Sequence, residues 1–516
     1  MAEPLVDRWY AWSHLVSPAT LAMNTVDRHF KIMQSYVDSP AVHAAAVKDP
    51  RFLGGPFIDY DGNYQTEIEE LIRTTREFRA PLLEFRDAIK QLDALLLAEG
   101  KGYSLEPFYE RVPPALRGYV ELTYDLNDQP GFRLIEPLLY RSPLHDQKGQ
   151  SLVLSRMTGD DRPFVLSTPR LPSRKGVHLT LPFSDRGLDT LFSALRRPQP
   201  LSTIADGIGV TAVDAVIDMF TPNAPPPYEP YTGGGVRWRY FGHACILVES
   251  NGTSILLDPC LSYTYETKIS RYTYLDLPER IDWAMITHNH PDHLLLETML
   301  QLRHRIGTVV VPRNGGGALQ DPSLRLMLQS IGFQNVVELD ELGTIDTACG
   351  SIVGLPFLGE HGDLNVRTKL SYLVTAGRHR LLFAADSCNI DPTLYHHFRR
   401  ILGSVDVLFL GMECDGAPVS WLYGPLRSTR LARDKDRTRR FAGCNDERAL
   451  AMVDALGCRE VYVYALGQEP WLNYIMSLKY TEQSNPIIAS NRLIHECGER
   501  GIVAERLFGE KEILLP

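Results

Sequence analysis

The chain has 516 residues, 44% of them hydrophobic and 22% charged, a balance that is typical of globular proteins and excludes a wholly disordered or collagen-like chain. At roughly 100 to 200 residues per domain, this length allows two to four domains. The formal net charge of −10 argues against a general nucleic-acid-binding protein, because contacts to phosphate need a basic surface.

Two further features indicate the cellular environment. The sequence has no apolar run of the roughly 18 residues that span a membrane, and its N-terminus has acidic residues where a secretory signal carries positive charge. Eight cysteines are scattered without a CxxC pair, which predicts reduced thiols rather than a disulfide framework. We therefore expect a cytoplasmic protein with no membrane partner, whose partners are small molecules or docked proteins.

The first 220 residues predict an α+β domain. Apolar residues at helical spacing over 64–99 predict a helix that is kinked near Pro81. Short extended runs follow, and two helical stretches end the segment. The expected strands cover 119–124, 132–139, 164–167 and 177–181, and the expected helices cover 188–197 and 203–220.

A change in residue composition and pattern separates this segment from the rest of the chain. Residues 221–235 contain five prolines and three glycines and predict a linker, because such a stretch continues neither a helix nor a central strand. Over 236–516, strand and helix patterns alternate, which predicts a layered sheet sandwich covered by helices. The expected strands are VRWRYF, CILVE, SILLDP, AMIT, TVVVP, LSYLVTA, RLLFAAD, VDVLFLG and REVYVYA.

The string THNHPDH, residues 287–293, contains the candidate metal ligands. It places His288, His290, Asp292 and His293 within six residues after an expected strand. Because side chains alternate along a strand end, His288 and His290 point the same way and can share one metal, while Asp292 and His293 can face a second. Imidazole suits zinc, copper, iron and nickel, and carboxylates add harder ions. The alternative interpretation is a polar turn with solvent-exposed histidines.

This string resembles the HxHxDH signature of the metallo-β-lactamase superfamily. The resemblance covers residues 236–516 and implies an αββα sandwich with two metals at one edge, preceded in this α/β chain by the α+β domain. SILLDP resembles the family's first motif, in which Asp258 has a structural role. FAADS provides Asp386, which matches the carboxylate that bridges the two metals in this fold.

The remaining ligands depart from the hydrolases of this superfamily. Where those enzymes place a histidine on the first metal, this sequence has GEHGD, with Glu360 and His361 adjacent. Both cannot face one metal from an extended strand. The last histidine of the hydrolase pattern is also missing after VYVYALGQEPW. An oxygen-rich, coordinatively open site favours iron over zinc, and an open site can bind dioxygen.

These ligands, together with the large N-terminal domain, resemble the dinuclear-iron aminoacyl β-hydroxylases of nonribosomal peptide synthesis, of the chloramphenicol-pathway type. The resemblance implies an oxo-bridged pair of iron ions, O2 as co-substrate and an external electron donor. It implies a monooxygenase that hydroxylates the β-carbon of an L-aminoacyl thioester on a synthetase carrier domain, in antibiotic or other natural-product biosynthesis. The implied enzyme is a homodimer, with residues 1–220 serving dimerisation or carrier docking.

The same resemblance implies roles for individual residues. His288, His290 and the catalytic Glu360 would hold the first iron, Asp292 and His293 the second, and Asp386 would bridge them. His361 would then support the ligands without binding a metal.

Three weaker candidates surround this set. His243, between two expected strands, could line the site, although a structural histidine is the simpler interpretation. Glu413 follows the strand VDVLFLG, where a loop often borders the metals. The basic segment 427–440 could attract an acidic carrier domain, or it could be a solvated face. Its candidate docking residues are Arg430, Arg433, Lys435, Arg437, Arg439 and Arg440.

Two other functions remain open at this point. A dinuclear zinc or manganese hydrolase of the same fold would cleave an ester, thioester or phosphodiester with a metal-bound hydroxide. A degenerate metal domain with a docking module would have no activity. Metal analysis distinguishes these alternatives, since two irons, zinc and no metal correspond to the three cases.

Overall fold

The N-terminal part of the chain combines helices with two small sheets. The computed structural model describes residues 1–172, 176–211, 214 and 216–516. A four-stranded sheet has the order β2-β1-β5-β6, and β3 pairs with β4 in a hairpin. The strands are β1 (Ala2–Val6), β2 (Trp9–Tyr10), β3 (Val120–Tyr124), β4 (Pro130–Leu134), β5 (Gln150–Ser155) and β6 (Gly176–Leu179). The helices are α1 (Ser13–Val16), α2 (Pro18–Asn24), α3 (Lys31–Asp38), α4 (Pro40–Ala46), α5 (Gln65–Phe78), α6 (Ala80–Glu99), α7 (Glu136–Leu139), α8 (Gly187–Ser193) and α9 (Leu201–Gly207), with a π-helical turn Thr25–Phe30 between α2 and α3.

The expected helix over 64–99 is two helices rather than one kinked helix. The break is at Arg79, whose guanidinium is buried against the Asp7 carboxylate at 2.8 Å. Pro81 lies in the first turn of α6, where its missing N–H costs nothing. A new helix therefore starts at the proline instead of bending around it.

Three other expected elements of this part differ from the structure in their bounds or type. The run 132–139 ends as a strand at Leu134 and continues as α7, and 164–167 forms a turn rather than a strand. The helix expected over 203–220 overlaps α9, which ends at Gly207. Residues 212, 213 and 215 of that expectation lie outside the described residues.

The C-terminal part contains two seven-stranded sheets. The first has the order β12-β11-β10-β9-β8-β7-β20 and the second the order β13-β14-β15-β16-β17-β18-β19. The first sheet contains β7 (Val236–Tyr240), β8 (Ile246–Ser250), β9 (Thr253–Leu257), β10 (Ile281–Met285), β11 (Ile306–Pro312), β12 (Val336–Leu339) and β20 (Lys511–Leu515). The second contains β13 (Thr344–Thr347), β14 (Gly350–Leu355), β15 (Ser371–Ala376), β16 (His379–Phe383), β17 (Val407–Gly411), β18 (Glu460–Tyr464) and β19 (Val503–Arg506). The helices are α10 (Leu296–Leu302), α11 (Leu324–Ser330), α12 (Pro392–Leu402), α13 (Ser420–Tyr423), α14 (Arg433–Thr438), α15 (Asp446–Leu456), α16 (Asn473–Met476) and α17 (Asn485–Glu499).

The two sheets pack face to face. Fully buried residues such as Trp238, Tyr372 and Phe409 fill the space between them. Helices α12, α15 and α17 cover the outer face of the second sheet, and α10 and α11 cover that of the first. The expected αββα architecture is therefore confirmed, and each strand expected after residue 235 is present.

The arrangement of the strands determines where chemistry can occur. In the first sheet β10 runs parallel to β9 and β11, and in the second β17 runs parallel to β16 and β18. Loops that follow parallel strands gather at the carboxyl edge of a sheet, where ligands commonly bind. The loops after β9, β10, β16 and β17 carry the candidate site residues.

The N-terminal part packs directly on this sandwich. One hydrophobic cluster contains buried residues of both parts, including Leu15 and Phe85 together with Leu256 and Leu300. The buried carboxylate of Glu297 in α10 accepts a hydrogen bond from Tyr10 at 2.7 Å and pairs with Arg162 at 2.8 Å. The N-terminal part therefore lies against the helical layer next to the site.

Two simple expectations can be compared with the structure. No helix within the described residues is long and apolar enough to cross a bilayer. All eight cysteines carry free thiols in the part of the chain that the structure describes.

Candidate metal centre

The loop 287–293 begins two residues after β10. It is held in place by the carboxylate of Asp258, the residue that follows the neighbouring strand β9. Asp258, directly after β9, is buried. It accepts hydrogen bonds from the Thr287 backbone N–H at 2.7 Å and from the Thr287 hydroxyl at 2.6 Å. The Asp258 backbone has φ of +37°, a conformation that non-glycine residues rarely adopt and that often marks functional sites. The structural role expected for Asp258 therefore consists of holding the histidine loop.

Three ligand atoms of His288, His290 and Glu360 lie within 4.8 Å of one another, and all three residues are buried. The Nδ1 atom of His290 is 2.9 Å from Oε1 of Glu360. The segment around Glu360 is a loop between β14 and β15 rather than the expected strand, and Glu360 itself has φ of +67°. This turn directs the Glu360 carboxylate to the histidines.

His361 lies behind this group. Its Nδ1 atom is 3.1 Å from Nε2 of His290, and the Tyr423 hydroxyl is 3.3 Å from the same Nδ1. The His290 ring is thus held between Glu360 on one nitrogen and His361 on the other. Residues behind a ligand orient it in this way in many metal sites.

A second group contains His243, Asp292 and His293, whose ligand atoms also lie within 4.8 Å of one another. The Nε2 atom of His243 is 2.9 Å from Oδ2 of Asp292. His243 is fully buried and has φ of +51° in the turn between β7 and β8. The structure therefore brings His243 closer to the site than the sequence alone indicated.

Asp386 lies between the two groups. Its Oδ2 atom is 3.1 Å from Nε2 of His293 and 3.5 Å from Nε2 of His288. Gly411, the last residue of β17, allows this position, since a Cβ there would be 2.6 Å from Oδ1 of Asp386. A carboxylate placed between two groups of ligands has the position that a bridge requires.

The hydrogen bonds of two histidines leave one nitrogen of each ring free. His293 donates from Nδ1 to Oδ2 of Asp258 at 2.8 Å. His288 has Nδ1 at 3.1 Å from the Thr287 hydroxyl oxygen, which already donates to Asp258. In both rings Nε2 is therefore the nitrogen with a lone pair for a metal.

The carboxylates of the cluster favour a positive charge among its imidazoles. Burial, followed by the neighbouring His293, holds the pKa of His288 well below its usual range. Burial also opposes the charged form of His293, but the carboxylates of Asp386, Asp292 and Asp258 raise its pKa well above the ordinary value. Burial raises the pKa of Glu360. The carboxylates thus favour a positive charge at His293, and a metal ion bound at its Nε2 would supply that charge in place of the ring proton.

The residues fit a pair of iron ions. Nε2 of His288, Nε2 of His293 and Oδ1 of Asp386 are buried and have no hydrogen-bond partner within the described chain. Buried polar atoms without partners are costly, and a metal would satisfy them. Three carboxylates beside the imidazoles make a harder donor set than the histidine-rich sites of zinc enzymes.

Glu413 borders this cluster without joining either group. It follows β17, and burial raises its pKa to about 7, with smaller contributions from nearby carboxylates that include Glu360 and Asp386. Its carboxylate accepts hydrogen bonds from the Gly416 backbone N–H and, at 3.4 Å, from the Tyr480 hydroxyl.

The basic segment 427–440 contains α14 and is largely exposed. Arg439 differs from its neighbours because it is half-buried, and its Nε donates to the Gly362 carbonyl at 2.7 Å. Arg439 therefore contacts the Glu360 loop, and its docking role stays a prediction. The exposed basic residues are Arg430, Arg433, Lys435, Arg437 and Arg440.

Sequence reasoning missed the contribution of the N-terminal part to the site. The Ser13 hydroxyl donates to Oδ1 of Asn289, inside the histidine string. The His14 ring lies 6.1 Å from that of Tyr423, which borders His290 and His361. No sequence motif connects residues 13 and 14 with the string, since about 275 residues separate them. Residues 9–25 are all buried, which the structure shows and the sequence did not indicate.

Comparison with known proteins adds a family context to this geometry. A family model described as the diiron non-heme β-hydroxylase N-terminal domain matches residues 1–224, and a β-lactamase superfamily domain model matches residues 253–436. The chain is 40% identical over 522 residues to the 4-amino-L-phenylalanyl-[CmlP-peptidyl-carrier-protein] 3-hydroxylase of Streptomyces venezuelae, and the alignment covers 99% of this chain and 98% of that protein.

Solved structures show the same similarity over the whole length. The crystal structure of CmlA, a diiron β-hydroxylase from Streptomyces venezuelae, matches with a TM-score of 0.93 and 39% identity, covering 100% of this chain and 98% of that one. A variant of CmlA with one glutamate-to-aspartate substitution matches with a TM-score of 0.92 and 38% identity, with the same coverage.

Proposed function

The chain belongs to the diiron non-heme β-hydroxylase family, and from this premise we propose that it hydroxylates the β-carbon of an aminoacyl group held as a thioester on a peptidyl carrier protein. The family assignment makes the chain an enzyme and favours hydroxylation over the alternative of a zinc or manganese hydrolase. The relative named above acts on an aminoacyl group attached to a carrier protein. The observation that carries the proposal is the carboxylate of Glu360, 2.9 Å from His290 at the position where hydrolases of this fold have an imidazole.

We assign the ligands in two groups with a shared carboxylate. His288, His290 and Glu360 would hold the first iron, and Asp386 would be the carboxylate shared with the second. The free Nε2 atoms of His288 and His293, and the position of Asp386 between them, support this assignment.

Asp292 and His293 would hold the second iron, and His243 would complete their group. His243 would provide an imidazole beside them in a sequence that lacks the last histidine of the hydrolase pattern. Its Nε2 atom, 2.9 Å from Asp292, supports either a direct bond to the metal or a fixed orientation of the Asp292 carboxylate.

The protein's own residues prepare the site. Two bound irons would supply the oxidation of an unactivated β C–H bond by O2 with two electrons from an external donor, which side chains cannot perform. Asp258 orients the Nε2 atom of His293 through its hydrogen bond to Nδ1. The buried ligands exclude water, whereas the side chains of Asp292 and Asp386 are 15% and 13% exposed. These two carboxylates mark the open face that substrate and O2 approach.

The exposed basic residues of α14 provide a docking surface for an acidic carrier domain. Arg433 and Arg437 lie one helical turn apart on this six-residue helix and are both exposed. Complementary charge accelerates association more than it raises affinity. Because Arg439 contacts Gly362, two residues from Glu360, a carrier docked here lies close to the first group of ligands.

Further properties of the enzyme are part of the same proposal. Residues 1–220 form a domain that serves dimerisation and carrier docking, and their intimate packing on the sandwich supports a role close to the site. Eight free thiols are compatible with work in the reducing cytoplasm. Light scattering of the purified chain measures its oligomeric state, and a monomer at working concentration would remove the dimer from the proposal.

A single-turnover experiment tests the main proposal. The iron-loaded protein is reduced chemically, mixed with O2 and a panel of aminoacyl-loaded carrier proteins, and the released amino acids are analysed by mass spectrometry. We expect a mass gain of one oxygen at the β-carbon for at least one loaded carrier, and none for the free amino acid. Hydrolysis of the thioester without oxygen insertion would instead establish the hydrolase.

A further inference from the structure

The N-terminal part of the chain places unpartnered polar side chains near Tyr423, whose ring lies 6.5 Å from that of His290. His14 is fully buried, and neither of its ring nitrogens has a hydrogen-bond partner among the described residues. Its ring stacks on Trp12 at 4.4 Å and meets the edge of Tyr423 at 6.1 Å. A buried imidazole without partners costs free energy that a bound polar group would recover.

Arg28 adds a buried positive charge to this region. Its Nη2 donates to the carbonyls of Trp421 and Leu422 at 2.6 and 3.0 Å, and its Nη1 has no partner in the described structure. Arg28 lies in the π-helical turn Thr25–Phe30, a geometry that is rare and frequent at functional sites. By holding α13, Arg28 also positions Tyr423 against His361.

The proximity of His14 to the metal ligands is visible in its electrostatics. Burial, then the Arg28 charge and then His290 lower the pKa of His14 to about 3. The ring is therefore neutral, with one N–H donor and one acceptor nitrogen. The Tyr423 ring, 6.1 Å from His14, also lies 6.5 Å from His290 and 6.2 Å from His361.

We propose that His14 donates a hydrogen bond to the carbonyl oxygen of the aminoacyl thioester, so that the N-terminal part of the chain places the β-carbon at the iron pair. This inference rests on the proposed function. The thioester carbonyl is the acceptor nearest the β-carbon in such a substrate, and a tethered amino acid has no free carboxylate. The buried charge of Arg28 disfavours an ammonium group at this position and favours an oxygen acceptor. His14 is then a substrate-binding residue outside the metal domain.

The test compares the binding of aminoacyl-loaded and unloaded carrier, both with the phosphopantetheine arm, to the diferric protein. For the unsubstituted protein we expect the loaded carrier to bind about tenfold more tightly, the effect of one buried hydrogen bond and its surroundings. In His14→Phe this preference disappears and less product forms per O2 consumed, while two irons and the absorption spectrum of the iron pair are retained. His14→Gln, which keeps a donor, restores most of the preference.

A substrate analogue makes the test independent of how well the variants fold. When the amino acid is attached through a thioether, with CH2 in place of the carbonyl, the unsubstituted protein should lose the same preference. His29→Phe is the matched control, because His29 is buried against Trp9 in the same part of the chain, and it should behave as the unsubstituted protein.

Three results would overturn the inference: an unchanged preference in His14→Phe, full binding of the thioether analogue, or loss of iron from a folded His14→Phe. Failure of the proposed function gives a different result, since the unsubstituted protein would then hydroxylate no loaded carrier.

Discussion

The two groups of candidate metal ligands share the loop 287–293 but have different surroundings. The second group, His243, Asp292 and His293, is oriented from within the sandwich, where Asp258 holds His293 and the loop that carries it. The first group, His288, His290 and Glu360, contacts His361 and Tyr423, and the N-terminal part lies above it. On the proposed function, the second group depends on the sandwich alone, whereas the first group would carry the features that hydroxylation needs.

On the proposed function, this difference indicates how a hydrolase fold can support oxygen chemistry. Glu360 in its left-handed turn and the N-terminal part would set the metal preference and the substrate access of the first group, while the second group would need few changes. Substitutions in the first group should therefore alter which reaction occurs, and substitutions in the second group should alter whether metal is held.

Glu360→His gives the largest expected effect. An imidazole at this position recreates the hydrolase ligand set, so we expect zinc to replace iron and hydroxylation to fall to background. Elemental analysis of protein grown with both metals, together with product analysis, measures this. Glu360→Asp keeps the carboxylate and serves as the control, which should retain iron. A Glu360→His protein that still hydroxylates would show that Glu360 is not a ligand.

Gly411→Ala tests the bridge between the two groups. The new Cβ would be 2.6 Å from Oδ1 of Asp386 and 2.7 Å from the Ala385 carbonyl oxygen, so Asp386 must move. We expect loss of most of the iron of both groups and a stability loss of about 1–3 kcal/mol from overpacking, measured by iron analysis and urea unfolding. Gly498→Ala in α17, where a Cβ meets nothing within 4 Å, should keep both irons. Full iron content in Gly411→Ala would contradict the bridging position of Asp386.

The fold could be predicted further from the sequence than the site could. Strand and helix patterns after residue 235 were sufficient for the sandwich, because central strands such as β8 and β17 are short buried runs. HxHxDH predicted the loop because its spacing is local. Glu360 was predicted as a ligand from the resemblance, although its left-handed backbone, which directs the carboxylate, could not be foreseen from GEHGD.

His243 and His14 show why the rest could not be predicted. Each is a single histidine without a motif, and each reaches the site through tertiary packing over 49 residues or more, as in the contact of His243 with Asp292. Local sequence carries no information about such contacts. The same holds for the break at Arg79, which depends on its ion pair with the distant Asp7.

His243→Phe tests the second group. Phenylalanine keeps a planar aromatic ring, although a larger one, and removes the nitrogen 2.9 Å from Asp292. We expect the second iron to bind about 10–100-fold more weakly, so that dialysed protein retains close to one iron per chain, measured by elemental analysis and by the loss of the spectrum of the iron pair. His379→Phe is the control, because His379 lies outside the metal groups at the start of β16. If His243→Phe still holds two irons tightly, His243 does not contribute to metal binding and its role is structural.

The smallest expected effect concerns the proposed docking surface on α14. Replacing both Arg433 and Arg437 by glutamate reverses the exposed charge of α14 without touching Arg439. We expect association with a loaded carrier to slow about tenfold at low salt and the difference to shrink as salt rises, measured by stopped-flow mixing over a salt series. Iron content and the single-turnover yield at saturating carrier should stay unchanged, since neither residue contacts a ligand of either group.

Charge reversal at a distant place separates docking from net charge. Arg400 in α12 and Arg492 in α17 are exposed, and replacing both by glutamate changes the net charge equally. If this control slows association as much as the α14 variant does, the effect belongs to the overall charge of the protein and α14 is not the docking surface. A slower rate only in the α14 variant would instead place the carrier next to the Glu360 loop, through the contact of Arg439 with Gly362.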